Sequence, residues 1–265
     1  SVSFAYLVYS SSYIKLHEPA VFCAALLNAQ PMGFWSPHTL VRDARRHGVL
    51  VHTPDINASS HEATLEQHSE SETGLAVRLG IGSVRGIGSE LAREIATHRP
   101  YASIEELVAR VPALSRKQVE ALATSGAFTE SFGDDRRHAL WEAGAYGHGN
   151  IDKLQGIMGL QTRPTLPGME PIEEAIADLW ATGISPDGHP TIFLREQLQA
   201  KGVITADQLP AVPHRDRAMV AGIVTHRQRP MSAKGATFIS LEDETGLINV
   251  VCSKGCWARH RAVAR

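Results

Sequence analysis

The sequence lacks several things that would otherwise direct its reading. Three cysteines in 265 residues (Cys23, Cys252 and Cys256) cannot frame a disulfide-stapled fold, and so small a number fits a reducing, cytoplasmic setting. No stretch approaches the roughly 20 apolar residues of a membrane helix, and no signal-like run is present. The 13 histidines are scattered, without an H-E-x-x-H pair, and there is no G-x-S-x-G nucleophile turn. Cys252-x3-Cys256-x3-His260 lacks the second ligand pair of a structural zinc site. No Asp-x-Asp lies on a candidate strand to hold two magnesium ions for nucleotidyl transfer. Asp55, Asp134–Asp135 and Glu242–Asp243–Glu244 fall in turns or at strand ends and read as turn formers and surface charge. Catalytic residues are therefore not expected in this chain.

What is present is ordinary in amount but uneven in distribution. Hydrophobic residues are 43% and charged residues 20%, as in soluble globular proteins, and the length allows one large domain or two to three small ones. The formal charge of −2 divides into −3 over 1–77, +1 over 78–137, −5 over 138–213 and +5 over 214–265. A polyanion would feel the last segment most strongly. The chain starts at Ser1 in mid-pattern and stops at Arg265 inside what reads as an unfinished domain, so a fragment is expected.

Helical periodicity runs from Phe4 to His47, with Pro19 suited to a first turn and Gly48 to a C-cap. Val49–His52 and Leu75–Leu79 read as short strands, and the polar residues 58–73 as a surface loop. Helices are expected over 89–98, 103–110, 115–124 and 134–144. After a Gly/Thr/Pro-rich linker over 144–171, further helical segments fit 171–181, 189–201 and 205–209. From Met219 the pattern changes to strands at 219–229, 237–242 and 247–252.

Two regions carry binding chemistry. In Gly80-Ile81-Gly82-Ser83-Val84-Arg85-Gly86-Ile87-Gly88, the Gly86-x-Gly88 pair before the Ser89 helix fits a helix-hairpin-helix turn. Glycines allow a tight turn and close backbone approach. A helix beginning at Ser89 presents unpaired N–H groups and the positive end of its dipole to a phosphate. Arg85 and Arg93 could add charge. A dinucleotide-binding glycine fingerprint fails, because Arg85 and Leu91 stand where its third glycine belongs. A turn that merely packs strand against helix is the alternative. A second unit, Ser115-Arg116-Lys117-Gln118 leading to Ser125-Gly126-Ala127-Phe128, offers Arg116 and Lys117 as contacts; a solvated helix start is its alternative. The C-terminal strands resemble the first three of an oligonucleotide-binding (OB) barrel, which binds single strands with a basic groove and stacking aromatics. Arg227, Arg229, Lys234 and Phe238 are its candidate contacts, Phe238 being equally readable as core.

These motifs, in this order, resemble the C-terminal half of bacterial C-family DNA polymerases, most closely the error-prone, damage-inducible branch. Phe4–Tyr9, Lys15–Ala20 and Phe22–Asn28 are similar to the end of the fingers region, and Gln30-Pro31-Met32-Gly33-Phe34-Trp35-Ser36-Pro37 to a segment of the error-prone branch. Pro54-Asp55-Ile56-Asn57 matches a family-wide motif. Ala181–Ser185 with Gly188-His189-Pro190 matches the connector before the barrel, and Ser240–Gly246 a barrel turn. Val251–Trp257 departs from the family pattern, which leaves the local barrel structure open.

The resemblance implies an α+β fold: a mainly helical fingers-end and tandem helix-hairpin-helix region followed by an incomplete OB-type β-barrel. The expected parts are 1–74 (end of the fingers), 75–145 (tandem hairpins), 146–213 (linker and helical connector) and 214–265 (partial OB-fold). For the intact protein it implies template-directed DNA synthesis and translesion repair with Mg2+. It also implies template-primer and single-stranded DNA as partners, together with a Y-family-like accessory protein and the sliding clamp. For this chain it implies DNA holding without a cofactor. A non-enzymatic adaptor built from hairpin and OB modules is the competing reading.

Overall fold

The computed structural model describes residues 2–32, 35–145, 164–185 and 188–263. The chain divides into two compact units, Ser1–Pro186 and Asp187–Arg265. Gly33 and Phe34, and most of the expected 144–171 linker, lie outside the described residues.

The first unit opens with α1 (Val2–His17) and α2 (Pro19–Asn28). Next is α3 (Pro37–Arg46), capped where Thr39 N–H donates to Ser36 Oγ at 3.2 Å. A three-stranded sheet follows in the order β1 (Leu50–His52), β3 (Leu75–Arg78), β2 (Thr64–Gln67), with β1 parallel and β2 antiparallel to β3. β3 is the central strand, and its apolar run is buried accordingly. Ala20, Cys23, Ala24, Val41, Ala44, Val51 and Val77 form the core between α2, α3 and the sheet. β2 corrects the expectation of an irregular loop over 58–73. Its burial alternates between half-buried and exposed, so a polar edge strand reads as loop in the sequence. β3, which opens the second of the four expected parts, is thus hydrogen-bonded to strands of the first.

At the end of the sheet, Arg78 is buried and held on several sides. Its guanidinium donates to both oxygens of Glu66 (2.7 and 3.1 Å), to Glu130 (2.8 Å) and to the Thr53 carbonyl (3.3 Å). The adjoining loop carries a dense set of polar contacts. Asp55 is 3% exposed. It accepts from the N–H groups of Asn57 (2.9 Å) and Ala58 (2.7 Å), and from Ser131 through both N–H (3.1 Å) and Oγ (2.7 Å). Asn57 pairs with both backbone groups of Tyr101 at 2.7 and 2.9 Å. Ile56 N–H donates to the Ala127 carbonyl at 2.8 Å, and Arg99 donates to the carbonyls of residues 57, 58 and 59.

The second core lies beyond this loop, among α4 (Ser89–His98), α5 (Ile104–Arg110), α6 (Arg116–Thr124), α7 (Thr129–Phe132) and α8 (Arg136–Ala145). Phe128 is fully buried there and stacks on Phe132 with ring centroids 5.5 Å apart. α9 (Pro171–Thr182) is tied to the start of α8 by the buried pair Arg136–Asp178 at 2.7 Å.

In the second unit a 3₁₀ turn, Pro190–Leu194, runs into α10 (Arg195–Ala200). It replaces the first part of the single helix expected over 189–201. β4 (Val203–Ile204) pairs in parallel with β5 (Met219–Val220). The helix expected over 205–209 is instead a turn, in which Thr205 N–H and the Gln208 side chain bond at 3.1 Å, before a 3₁₀ turn at Leu209–Ala211. β6 (Ile223–Gln228), β7 (Thr237–Glu242) and β8 (Leu247–Cys252) form an antiparallel meander. It is not closed into a barrel. The region read as a departure is resolved as the end of β8 and α11 (Lys254–His260), whose start is capped by Ser253 Oγ accepting from Cys256 N–H.

The β7–β8 turn is anchored by charge. Arg195 donates through Nε to Glu244 Oε1 and through Nη2 to Oε2 (2.8 Å), and Thr191 Oγ1 donates to Oε2 at 2.6 Å. Burial pushes the Glu244 carboxyl up, but the hydrogen bonds from Arg195 and Thr191 and its own N–H outweigh it and hold the group at about 2.

Two outcomes follow. Asp55→Ala leaves four donors without their acceptor and is expected to lower stability by about 3 kcal/mol, with Asp55→Asn intermediate, in thermal and urea denaturation. Glu244→Gln is expected to cost about 3 kcal/mol at neutral pH. Because the folded value lies below the ordinary 4.5, native and variant curves should converge as pH falls from 4.5 towards 2. A gap independent of pH in urea titrations would contradict the assignment.

Candidate nucleic-acid interface

The two hairpins are built on one spacing. Val84, Ile87, Ala92 and Ile95 recur as Val111, Leu114, Val119 and Leu122, and all eight enter the same core. In each, the last apolar residue of the turn donates its N–H back to the first: Ile87 to Val84 at 3.0 Å, Leu114 to Val111 at 3.1 Å. The residue that follows caps the second helix, Gly88 for α4 and Ser115 for α6.

The turns differ where the backbone demands it. Gly86 has φ +79°, a left-handed conformation that side chains resist, whereas Ala113 stands at the matching place in the second turn. The two turns are joined by Gln118. Its Oε1 accepts from Ser115 N–H and Oγ, both at 2.8 Å, and its Nε2 donates to the Gly86 carbonyl at 2.9 Å. The starts of α4 and α6 therefore lie side by side. Ser115 and Gln118 form a capping box at α6, whereas Gly88 supplies no side-chain acceptor to α4. A Cβ on Gly88 would meet nothing within 4 Å, so the approach to those N–H groups is open.

The expected basic residues fall into distinct situations. Arg93 and Lys117 are exposed. Arg116 is paired with Glu120 at 2.6 Å. Arg85 lies with its guanidinium carbon 5.0 Å from the Trp180 ring centroid, and its N–H donates to the Ala181 carbonyl at 2.6 Å. Ser89 is exposed at the first position of α4, and Glu90 beside it places one negative charge in that turn.

In the second unit the structure separates residues that the sequence groups together. Phe238 is opposite Gln228 on β6 and Val251 on β8, while Ser240 is opposite His226 and Asn249. Phe238 and Ser240 share one face, as do their partners, by strand alternation. Phe238 is 40% exposed, so it belongs to an open face rather than the core. Arg227 is opposite Ile239 and therefore on the other face, where it lines a pocket of about 200 Å3 with Arg229, Thr237 and Trp257. Lys234 is exposed in the intervening turn with φ +49°. Gln228 and Asn249 were not among the expected contacts; the register reveals them, together with His226, as neighbours of Phe238. Burial first, and the neighbouring Cys256 second, push the Cys252 thiol up. Among the described residues no group of three or more His, Cys, Asp or Glu is placed to hold a metal ion, and no helix is long and apolar enough to cross a membrane.

Residues 48–139 match the family model of the helix-hairpin-helix motif. Over its whole length the chain is 56% identical to an error-prone DNA polymerase of Mycolicibacterium paratuberculosis, 54% to one of Mycobacterium tuberculosis and 53% to one of Nocardia farcinica. In each case it covers 24% of the relative, so the chain spans about a quarter of the length of the curated proteins it matches.

The contrast between the turns yields a test of the hairpin geometry. Gly86→Ala is expected to cost about 1–2 kcal/mol, since its φ forbids a relaxed side chain, whereas Ala113→Gly should cost less than 1 kcal/mol. Urea denaturation of the two variants checks the order.

Proposed function

We propose that this chain is the C-terminal, DNA-holding part of a bacterial C-family DNA polymerase of the error-prone branch, the proteins it resembles over its whole length. The observation that carries this reading is the pair of hairpin turns joined through Gln118, with the uncapped start of α4 open beside Gly86 and Gly88. Backbone N–H groups at a helix start bind a phosphate through its charge and oxygens, irrespective of base. Such contacts suit a polymerase, which must hold any template-primer.

Gly86, Gly88 and Ser89 form the phosphate cradle, with Arg93 and Lys117 as flanking charges. Arg85 and Arg116 contribute while remaining attached to Trp180 and Glu120. In the second unit, single-stranded template lies on the open face, with Phe238 as stacking platform. Lys234, Arg227 and Arg229 add positive potential. The division into fingers end (1–74), tandem hairpins (75–145), connector (146–213) and partial OB-fold (214–265) belongs to the same proposal.

In the intact protein this apparatus serves template-directed synthesis across damaged DNA, with Mg2+ at the catalytic centre and with a Y-family-like accessory protein and the sliding clamp as partners. The described residues of this chain do not suit the metal. Asp55 is spent on backbone and hydroxyl donors, Asp178 on Arg136 and Glu244 on Arg195. No step of nucleotidyl transfer is assigned to them, and the purified chain is expected to bind DNA without extending a primer.

Gly88→Asp separates binding from folding. Asp is a favoured N-cap and its charge suits the helix dipole, so the variant should be as stable as the native chain. A carboxylate where a phosphate is to sit should lower affinity for primed DNA about tenfold or more. Native affinity should also fall steeply with salt. Unchanged affinity in the folded Gly88→Asp protein would sink the hairpin assignment.

A further inference from the structure

The pocket on the second face of the β6–β7–β8 sheet has features that core packing leaves unexplained. Arg227 on β6 and Arg229, just past the end of that strand, both line it. Trp257 on α11 forms another wall, with the Arg227 guanidinium carbon 5.8 Å from its ring centroid. Thr237 lines the pocket, is only 1% exposed, and its Oγ1 has no hydrogen-bond partner. A buried hydroxyl left without a partner is destabilising. The lining carries no carboxylate. The surrounding segment 214–265 has nine Lys and Arg against four Asp and Glu.

We propose that Arg227, Arg229, Thr237 and Trp257 form a binding pocket for a phosphate-type oxyanion. Two guanidinium groups supply charge-assisted donors, the Thr237 hydroxyl supplies a neutral one, and the indole wall limits hydration of the bound group. A volume of about 200 Å3 accepts a phosphate with part of an attached sugar. The strand's own phosphate is the expected source, which rests on the DNA-holding reading above. Because the pocket is on the face opposite Phe238, a strand would reach it by turning over the sheet edge rather than by lying flat. A free phosphate or nucleotide presents the same chemistry.

The test uses the full chain and follows the Trp257 indole N–H by NMR while inorganic phosphate, and separately single-stranded DNA, is added. Both are expected to shift that resonance. Arg229→Gln should abolish the phosphate response and lower the slope of log affinity for DNA against log salt by about one. Thr237→Val, nearly isosteric and relieved of an unpartnered hydroxyl, should melt no lower than the native chain yet bind phosphate severalfold more weakly. A packing role alone would not give that combination. The Gly88→Asp background should retain the Trp257 response, so failure of the hairpin reading is distinguishable from failure of this one. A phosphate response with unaltered DNA affinity in Arg229→Gln would assign the pocket to a free phosphate group. No response at Trp257, or one that survives Arg229→Gln, overturns the proposal.

Discussion

The helical unit depends on one buried carboxylate. Asp55 leaves water almost completely, and a charge so placed is tolerable only when donors surround it. Two come from its own turn, at Asn57 and Ala58, and two from Ser131, far away in sequence. The same turn sends Ile56 into the hairpin core and binds the Ala127 carbonyl through its N–H, while Ser59 Oγ donates to the Leu79 carbonyl. One short loop is therefore the joint between the sheet core and the hairpin core. Arg99, laid across the carbonyls of 57–59, satisfies the loop's acceptors as Asp55 satisfies its donors. Polar groups at such a joint specify a geometry that apolar packing alone would leave adjustable.

That rigidity matters for what the hairpins do. A helix start attracts phosphate over a short range, within about its first turn, so two of them act together only if their separation is fixed. Gln118 fixes it directly, serving the cap of α6 with one amide atom and the turn before α4 with the other. The two starts are unequal in consequence. α6 has a serine cap, whereas α4 has glycine and keeps its N–H groups open. On the DNA-holding reading proposed above, Glu90 would oppose an incoming phosphate while Arg93 and Lys117 would favour it, so directed N–H groups rather than net charge would carry the contact. The modest +1 over 78–137 is consistent with this balance.

Much of this was legible in the sequence, and the legible parts share a cause. The left-handed turn at Gly86, the helix beginning at Ser89 and the burial of Phe128 are local consequences of residue type and spacing. The repeat of Val84, Ile87 and Ala92 as Val111, Leu114 and Val119 is visible once the turns are aligned. What escaped the sequence depends on long-range pairing. β2 has too little apolar alternation to announce itself, and it becomes a strand only because β3 offers an edge. Asp55 looked like a turn former, and it is one; its bond to Ser131 has no local signature. The helix over 254–260 was obscured because Gly255 weakens its propensity, although the Ser253 cap was there to be read.

Register also decides how the second unit can touch a strand of nucleic acid. In the sequence Arg227, Arg229 and Phe238 look like one basic and aromatic cluster. Pairing of Gln228 with Phe238 and of Arg227 with Ile239 puts the ring and the Arg227 guanidinium on opposite faces, and Arg229 lines the pocket with Arg227. A one-residue shift of β6 would unite them, but it would also turn Val224, opposite Leu241, away from the face it shares with Ile239. The sheet therefore has two surfaces of different chemistry. One carries Phe238 among the amides and imidazole of Gln228, Asn249 and His226, suited to stacking and base edges. The other concentrates positive charge around Thr237 and Trp257. A base and a phosphate of one nucleotide cannot occupy both at once, so any ligand using both must be longer than that and must bend around the sheet edge, where Lys234 stands exposed in its turn.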